Sequence, residues 1–419
     1  MLDLNFIRQN PLLVKEKIDQ KYFKEKKSIY VDKILTLDNQ RKEIIHKKEK
    51  IQFKINKLSK IKPDKKTIEQ IRKDKEKIKN FNNLLRKIEK KLNYFLIRIP
   101  NLPHDSVPVG KSEADNRVIK VYKKKPQFSF SPRDYAELGE TLDIIDVKRA
   151  AKMSGARFGI LKKWGALLEI ALIKWLSEYL TKNGFTAIIP PVLVEERAMF
   201  GTGFFPTDER EYYKISEDRL YLVGTAEVPL AGMHMDEIFN FNELPKKYWG
   251  FSSCFRREAG SYGKDTRGIF RVHQFDKIEM FIYSREEDSW SDFENLRNLM
   301  ESIYQKLNLH YRIVNICSGE LGDANSKKYD LEAWFPAQKK YRELTSCSHD
   351  TDFQARRLNI KYRDKNGQKK FVHTMNSTAC AIGRTILAIL EQNQQKDGSI
   401  KIPKVLQPYM MNNKIIKKR

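Results

Sequence analysis

Between Ser28 and Arg98 the apolar residues return every seven positions, a spacing that few folds accept other than long helices packed along one seam. Leu37, Ile44, Ile51 and Leu58 form one series, with Ile34 and Ile55 on the companion positions. After a break, Ile71, Ile78, Leu85 and Leu92 repeat it, partnered by Phe81, Ile88 and Phe95. So narrow an apolar stripe is the seam of a coiled coil. Ile61-Lys62-Pro63-Asp64 interrupts it, and Pro63 predicts a turn. Two helices of similar length joined by a short turn make an antiparallel hairpin, each arm about 45 Å long at 1.5 Å per residue.

The same segment is strongly basic. It holds 22 Lys and Arg against 9 Asp and Glu, a net +13, which is half of the chain's +26. A slender arm buries little, so its other faces are solvated and cationic. Three explanations fit the segment alone: an ordinary charged solvent face, a dimerisation coiled coil, and a surface that meets nucleic-acid phosphates. A lysine-rich genome bias is a further explanation for part of such a charge. Ile99-Pro100-Asn101-Leu102-Pro103 and Val107-Pro108-Val109-Gly110 break any helix, which predicts an N-terminal helical domain over residues 1–105 and a second domain over 106–419.

The rest of the chain mixes helical and strand-like segments without a βαβ rhythm. It lacks Gly-x-Gly-x-x-Gly and any Gly-x-x-x-x-Gly-Lys loop, which argues against dinucleotide and Walker-type folds. An α+β fold, mostly antiparallel sheet flanked by helices, fits better. The start carries Asp3, Arg8 and Lys15 with no apolar core of signal-peptide length. Ala166–Leu180 is the most apolar stretch, but Glu169 and Lys174 interrupt it, so it is expected to be a buried helix rather than a membrane span. Cys254, Cys317, Cys347 and Cys380 lie far apart with no Cys-x-x-Cys pair; neither a disulfide framework nor a structural zinc site is expected, although Cys347 and His349 come nearest to a metal pair. A reduced, cytoplasmic protein is the expectation.

Chemistry concentrates in Phe251–Met280. A hydrophobic lead-in ends in Phe255-Arg256-Arg257-Glu258, followed by a loop with Gly260, Gly263, Gly268, Lys264, Asp265 and Arg267. From Ile269 onward the pattern predicts a returning strand. Arg256 offers a fixed fork of donors for phosphate oxygens, and Glu258, two residues on, shares its face and can accept from a base amine. Arg-x-Glu by itself reads as no more than a hairpin with a charged tip.

All thirty residues in this order resemble motif 2 of the class II aminoacyl-tRNA synthetases, and their wording is similar to that of the seryl-tRNA synthetases. The resemblance runs from Met1-Leu2-Asp3 to Gln407-Pro408-Tyr409-Met410. Gly184-Phe185-x-x-Ile188-x-Pro190-Pro191 resembles motif 1, which in that family forms the dimer interface, so a homodimer is implied. Val223-Gly224-Thr225-Ala226-Glu227 resembles the serine-binding loop. A free amino acid presents an ammonium, so its pocket needs a carboxylate; Glu227 and Glu279 are both candidates, with Thr225, Ala226 and Thr378 completing the implied serine site. Glu279 and Thr378 fall on the hydroxyl side, with the division of labour between the carboxylates open.

Tyr341-Arg342-Glu343-Leu344-Thr345-Ser346 resembles the strand that contacts ATP and Mg²⁺, implying Glu343, Leu344, Thr345 and Ser346 for ATP and Glu343 with Ser346 for the metal. Asp352-Phe353-Gln354-Ala355-Arg356-Arg357 is also family-like, its basic pair either a helix surface or a face toward RNA. Asn376-Ser377-Thr378-Ala379-Cys380-Ala381-Ile382-Gly383-Arg384 resembles motif 3, whose closing arginine, here Arg384, holds the γ-phosphate. The chain departs from the commoner bacterial wording at Ser377, Thr378 and Ala379, where glycines and a serine are usual. A hydroxyl survives and the pocket's fine shape changes.

The resemblance thus implies ATP-dependent activation of L-serine and its transfer to tRNA(Ser), with tRNA(Sec) a further candidate, the basic arm gripping the tRNA. Arg256, Arg257, Glu258 and Phe275 join the implied ATP site, with Arg256, Glu343 and Arg384 catalytic, Phe275 stacking on adenine, and the loop Ala259–Gly268 closing over ATP. Two alternatives are a ligase that loads a carrier protein, expected to lack the basic arm, and a non-catalytic RNA-binding relative, expected to lose Arg256, Glu258 or Arg384.

Overall fold

The structure is a computed structural model that describes residues 1–60, 64–207, 209–259 and 268–418. The turn expected at Pro63 and the glycine-rich loop over 260–267 lie outside the described residues. The chain divides into two compact units, Met1–Leu102 and Pro103–Arg419.

The first unit is built on two long helices, α1 (Ile29–Leu58) and α2 (Lys65–Leu96). The Asp64 side chain caps α2 by accepting the Thr67 amide at 2.8 Å. Ile34 shares a core with Leu92 and Leu96, Ile44 with Leu85 and Ile88, and Lys54 reaches Asp74 at 3.3 Å. One index falls as the other climbs, so the pair is antiparallel. Two short helices, Leu4–Gln9 and Pro11–Asp19, add Ile7, Val14 and Ile18 to the wide end of this core. The seam is less apolar than its heptads suggest. Asp38 is 1% exposed within it and is held by Arg8 at 2.7 Å, Arg41 at 3.1 Å and Lys42 at 3.2 Å. Burial pushes the Asp38 pKa up, but Arg8 and Lys42 outweigh it and bring it down to about 2.

The second unit centres on an eight-stranded sheet. Its strands are β1 (Arg117–Tyr122), β2 (Thr186–Ile188), β3 (Lys246–Phe255), β4 (Gln274–Ser284), β5 (Tyr311–Asn315), β6 (Lys327–Phe335), β7 (Lys340–Thr351) and β8 (His373–Ala381). The order across the sheet is β1-β5-β6-β7-β8-β4-β3-β2, antiparallel throughout except for the parallel edge pair β2 and β3. Helices α3 (Trp164–Lys182), α4 (Ser289–Lys306) and α5 (Ile382–Asn393) cover one face. Strand periodicity sorts β4 accordingly: Ile278, Met280 and Ile282 enter the helix-covered core. On the other face, Phe275, Lys277 and Glu279 line a cleft, while Phe281 and Tyr283 enter a smaller core under the short helix Glu227–Gly232.

One expectation is corrected here. The returning strand begins at Gln274, not at Ile269. Ile269, Phe270 and Val272 are buried in the main core instead, with Phe270 beside Tyr135 and Phe335, and the backbone first joins the ladder when Gln274 pairs with Phe255. Packing against the helix layer holds this segment where a strand would have left one face exposed.

Candidate active site

The cleft on the open face of the sheet encloses about 1240 Å³ of empty space, its mouth included. Its lining gathers side chains from β4, β6, β7 and β8, from the start of α5, and from the loop ahead of the Glu227–Gly232 helix. One end is cationic. Arg256 leaves the end of β3 with its amide donating to the His273 carbonyl at 2.9 Å and Nε donating to the Gly224 carbonyl at 3.2 Å. A Cβ on Gly224 would stand 2.7 Å from the Tyr212 ring and 3.5 Å from Arg256, so the close approach requires glycine. Arg384, on the first turn of α5, donates through Nη1 to the Glu343 carbonyl at 3.1 Å and to its carboxylate at 3.3 Å. Burial acts to raise the Glu343 pKa, but Lys328, Arg384 and Arg256 pull it to about 2, so this carboxylate is ionised.

The other end is a buried polar network. Glu279 is 1% exposed, and among the described residues its Oε2 takes the Lys277 ammonium at 2.7 Å, the Thr378 hydroxyl at 3.1 Å and the Thr225 hydroxyl at 3.4 Å. Glu227 begins the short helix nearby. Its Oε1 accepts the Gln354 amide at 2.9 Å, and Gln354 is in turn fixed by the Thr374 hydroxyl at 2.8 Å. Burial, then the negative charge of Glu279, raises the Glu227 pKa to about 7.

Of the residues expected in the site, Thr225, Glu227, Arg256, Glu258, Phe275, Glu279, Glu343, Leu344, Thr345, Ser346, Thr378 and Arg384 all line this cleft. Arg257 and Ala226 do not. Arg257 is exposed, its amide on the Glu211 carbonyl at 2.8 Å and its guanidinium 5.8 Å from the Tyr213 ring. Ala226 is wholly buried in the small core, leaving only backbone to offer. Glu258 sits at φ +52°, uncommon for a long side chain, and its carboxylate meets Arg271 at 2.9 Å. The basic pair Arg356-Arg357 does not form a free cationic face. Arg357 is buried against Phe200 and Phe353, and Arg356 pairs with Asp352 at 2.6 Å.

Sequence reasoning passed over several groups in the cleft. Phe270 meets two guanidiniums, Arg342 at 3.9 Å and Arg384 at 4.9 Å from the ring centre. Lys328 pairs with Asp330 at 2.9 Å beside Glu343, and Lys277 neutralises Glu279. Burial lifts the Asp330 pKa to about 7 against the pull of Lys328. Among the described residues, no group of three or more His, Cys, Asp or Glu side chains is placed to hold a metal ion, and no helix is long and apolar enough to cross a membrane. Cys347 lies in the main core and His349 stacks on Trp290 at 4.0 Å.

An antiparallel sheet that brings an arginine from the end of β3, a carboxylate from β7 and an arginine from the start of α5 into one cleft defines a class II synthetase core. The family of that description, tRNA synthetase class II core domain (G, H, P, S and T), matches residues 212–393, and the seryl-tRNA synthetase N-terminal domain matches residues 1–103. The chain is 44% identical to a serine–tRNA ligase of Syntrophobacter fumaroxidans over 98% of its own length and 99% of that protein's. It superposes on the crystal structure of seryl-tRNA synthetase from Pyrococcus horikoshii complexed with ATP at a TM-score of 0.96, with 40% identity and both chains fully covered. It also superposes on the cytoplasmic serine–tRNA ligase of Naegleria fowleri in complex with AMP at 0.92, with 33% identity, covering 100% of this chain and 99% of that one. The chain belongs to the seryl-tRNA synthetase family.

Proposed function

We propose that the protein is a serine–tRNA ligase: it activates L-serine with ATP and transfers the seryl group to the 3′ end of tRNA(Ser). The observation that carries this is one cleft with two unlike ends, a phosphate-suited cluster of Arg256 and Arg384 around ionised Glu343, and a hydroxyl-lined carboxylate pair, Glu227 and Glu279. In the first step a serine carboxylate oxygen attacks the α-phosphorus, the bond to the bridging oxygen breaks, and pyrophosphate leaves with the electron pair. In the second, the terminal ribose hydroxyl of tRNA attacks the seryl carbonyl carbon, the bond from that carbon to the phosphate oxygen breaks, and AMP departs with the hydroxyl proton on its phosphate. Neither step needs a covalent enzyme intermediate, so catalysis is positioning and charge stabilisation.

Arg256 meets the α-phosphate as charge builds there, and Arg384 holds the γ-phosphate. Glu258 reads the adenine amine and Phe275 offers the stacking face. Glu343 and Ser346 present hard oxygen donors, with Glu343 held ionised, a set that fits Mg²⁺ alongside the substrate phosphates. When bound, the ion neutralises charge on the β- and γ-phosphates and the leaving pyrophosphate. Lys277 already compensates Glu279, so Glu279 is the hydroxyl reader: its Oε1 remains for the serine hydroxyl, with Thr378 and Thr225 fixing the carboxylate. Glu227 has an amide partner but no paired cation among the described residues, which suits it to the α-ammonium. A site that hydrogen-bonds the hydroxyl leaves polar groups unpaired when alanine enters, which discriminates by about 10⁴.

The basic helical pair grips tRNA through its phosphates, and tRNA(Sec) is a second substrate to be assayed beside tRNA(Ser). Ile170 and Leu167 on α3 and Ile189 after β2 are 60%, 36% and 85% exposed, an apolar surface that supports a homodimer through these elements. The protein works in the cytoplasm, where its tRNA is. Amino-acid-dependent ATP–pyrophosphate exchange, run over twenty amino acids without tRNA, tests the reading. Exchange with serine alone is expected; exchange with none, or with another amino acid, refutes it.

A further inference from the structure

Behind the amino-acid end of the cleft lies a buried carboxylate that the reaction above does not use. Asp350 follows Ser346 and Ser348 along β7 at the strand period of two, and it is wholly buried. Nδ2 of Asn325 donates to its Oδ1 at 2.7 Å, and Nδ2 of Asn376 donates to its Oδ2 at 3.2 Å. Both asparagines line the cleft, Asn325 from the loop after residue 321 and Asn376 from β8, two residues before Thr378. A carboxylate only accepts, so an amide that faces it must turn its NH₂ inward and its carbonyl oxygen away. No donor among the described residues engages the Asn376 carbonyl oxygen, and the side chain borders the cleft.

We infer that Asp350 is a positioning residue: it locks the Asn376 amide so that Oδ1 faces the amino-acid end as an acceptor for the α-ammonium of the substrate, beside Glu227. This rests on the serine-ligase reading. An amide with an ambivalent partner could invert, and its NH₂ would then oppose the ammonium. Asp350 therefore acts on amino-acid affinity through Asn376 and leaves the phosphate end alone.

The test is Asp350→Asn, alone and combined with Asn376→Ala, in the full-length protein, read as KM for serine and for ATP in pyrophosphate exchange. The expected result is a rise in serine KM on the order of tenfold, with the ATP KM unchanged and no further rise when Asp350→Asn is added to Asn376→Ala. A purely structural role would shift both KM values together and would add to Asn376→Ala. Unchanged serine KM in Asp350→Asn, or full additivity, overturns the assignment while the wild type still exchanges with serine. Absence of serine-dependent exchange in the wild type overturns both this assignment and the function it rests on. Should Asp350→Asn fail to fold, Asp350→Ser removes the same double acceptor, and the same pattern in KM decides.

Discussion

Serine recognition should carry a pH signature set by Glu227. Burial and the neighbouring Glu279 charge raise its pKa to about 7 in the free protein. The α-ammonium of serine binds only the ionised carboxylate, and that ammonium keeps its proton across neutral pH. A raised pKa means the productive form is lost as pH falls through 7. With a pKa of about 7, roughly one molecule in eleven is ionised at pH 6 and ten in eleven at pH 8, so kcat/KM for serine should fall about tenfold between pH 8 and pH 6. That is about 1.4 kcal/mol of binding. The assay is serine-dependent pyrophosphate exchange at saturating ATP, with the ATP KM followed over the same range as a control. In Glu227→Gln the amide holds no titrating charge, so kcat/KM for serine should be low at every pH and its slope should vanish. A wild-type profile for serine that is flat from pH 6 to 8, or a slope that persists in Glu227→Gln, refutes the assignment of Glu227 to the ammonium.

Arg256→Ala removes the guanidinium proposed to meet the α-phosphate, and serine-dependent exchange should fall by roughly 10³, while near-normal exchange would exclude a role at the α-phosphate. Deleting residues 28–98 should spare adenylate formation and abolish tRNA charging; a truncated protein that still charges tRNA normally would show that the arm does not grip it. The arm should lose stability in acid. The Asp38 pKa is depressed to about 2, so its stabilisation is complete above the ordinary carboxylate pKa near 4 and is lost as pH falls through about 2. Asp38→Asn should remove that acid-dependent component from the circular-dichroism unfolding curve of the arm, and an unchanged acid profile would refute the pairing with Arg8, Arg41 and Lys42.

What could be read from the sequence, and what could not, follows from how each residue acts. Arg256, Glu343 and Arg384 stand in runs whose order is itself informative, and they meet in one cleft. The heptads gave the long helices because burial along a seam needs only local spacing, whereas Asp38 and Asp74 inside that seam are stabilised by cations one turn away or on another helix. Ile269 onward looked like strand because apolar residues alternate there, and nothing local shows that they dock under Tyr135 and beside Phe335. From the sequence, Arg356-Arg357 stays open between a helix surface and a face toward RNA because adjacent arginines are usually solvated. The aromatic rings that bury Arg357, Phe200 and Phe353, come in part from 157 residues upstream.

Two of the groups passed over were nonetheless within reach of strand geometry. Phe275 and Glu279 both belong to the cleft face of β4, and a period of two then forces Lys277 onto that face between them. A lysine buried beside a glutamate must pair with it, since an uncompensated ammonium there costs several kcal/mol. That pairing gives Glu279 a cation already, which supports the proposed assignment of the ammonium to Glu227 and of the hydroxyl to Glu279. The same period carries Ser346 and Ser348 to Asp350. What strand geometry could not supply was the other half of that contact, because the register between β7 and β8 shifts between His349 and Thr351, and only the folded chain brings Asn376 onto Asp350.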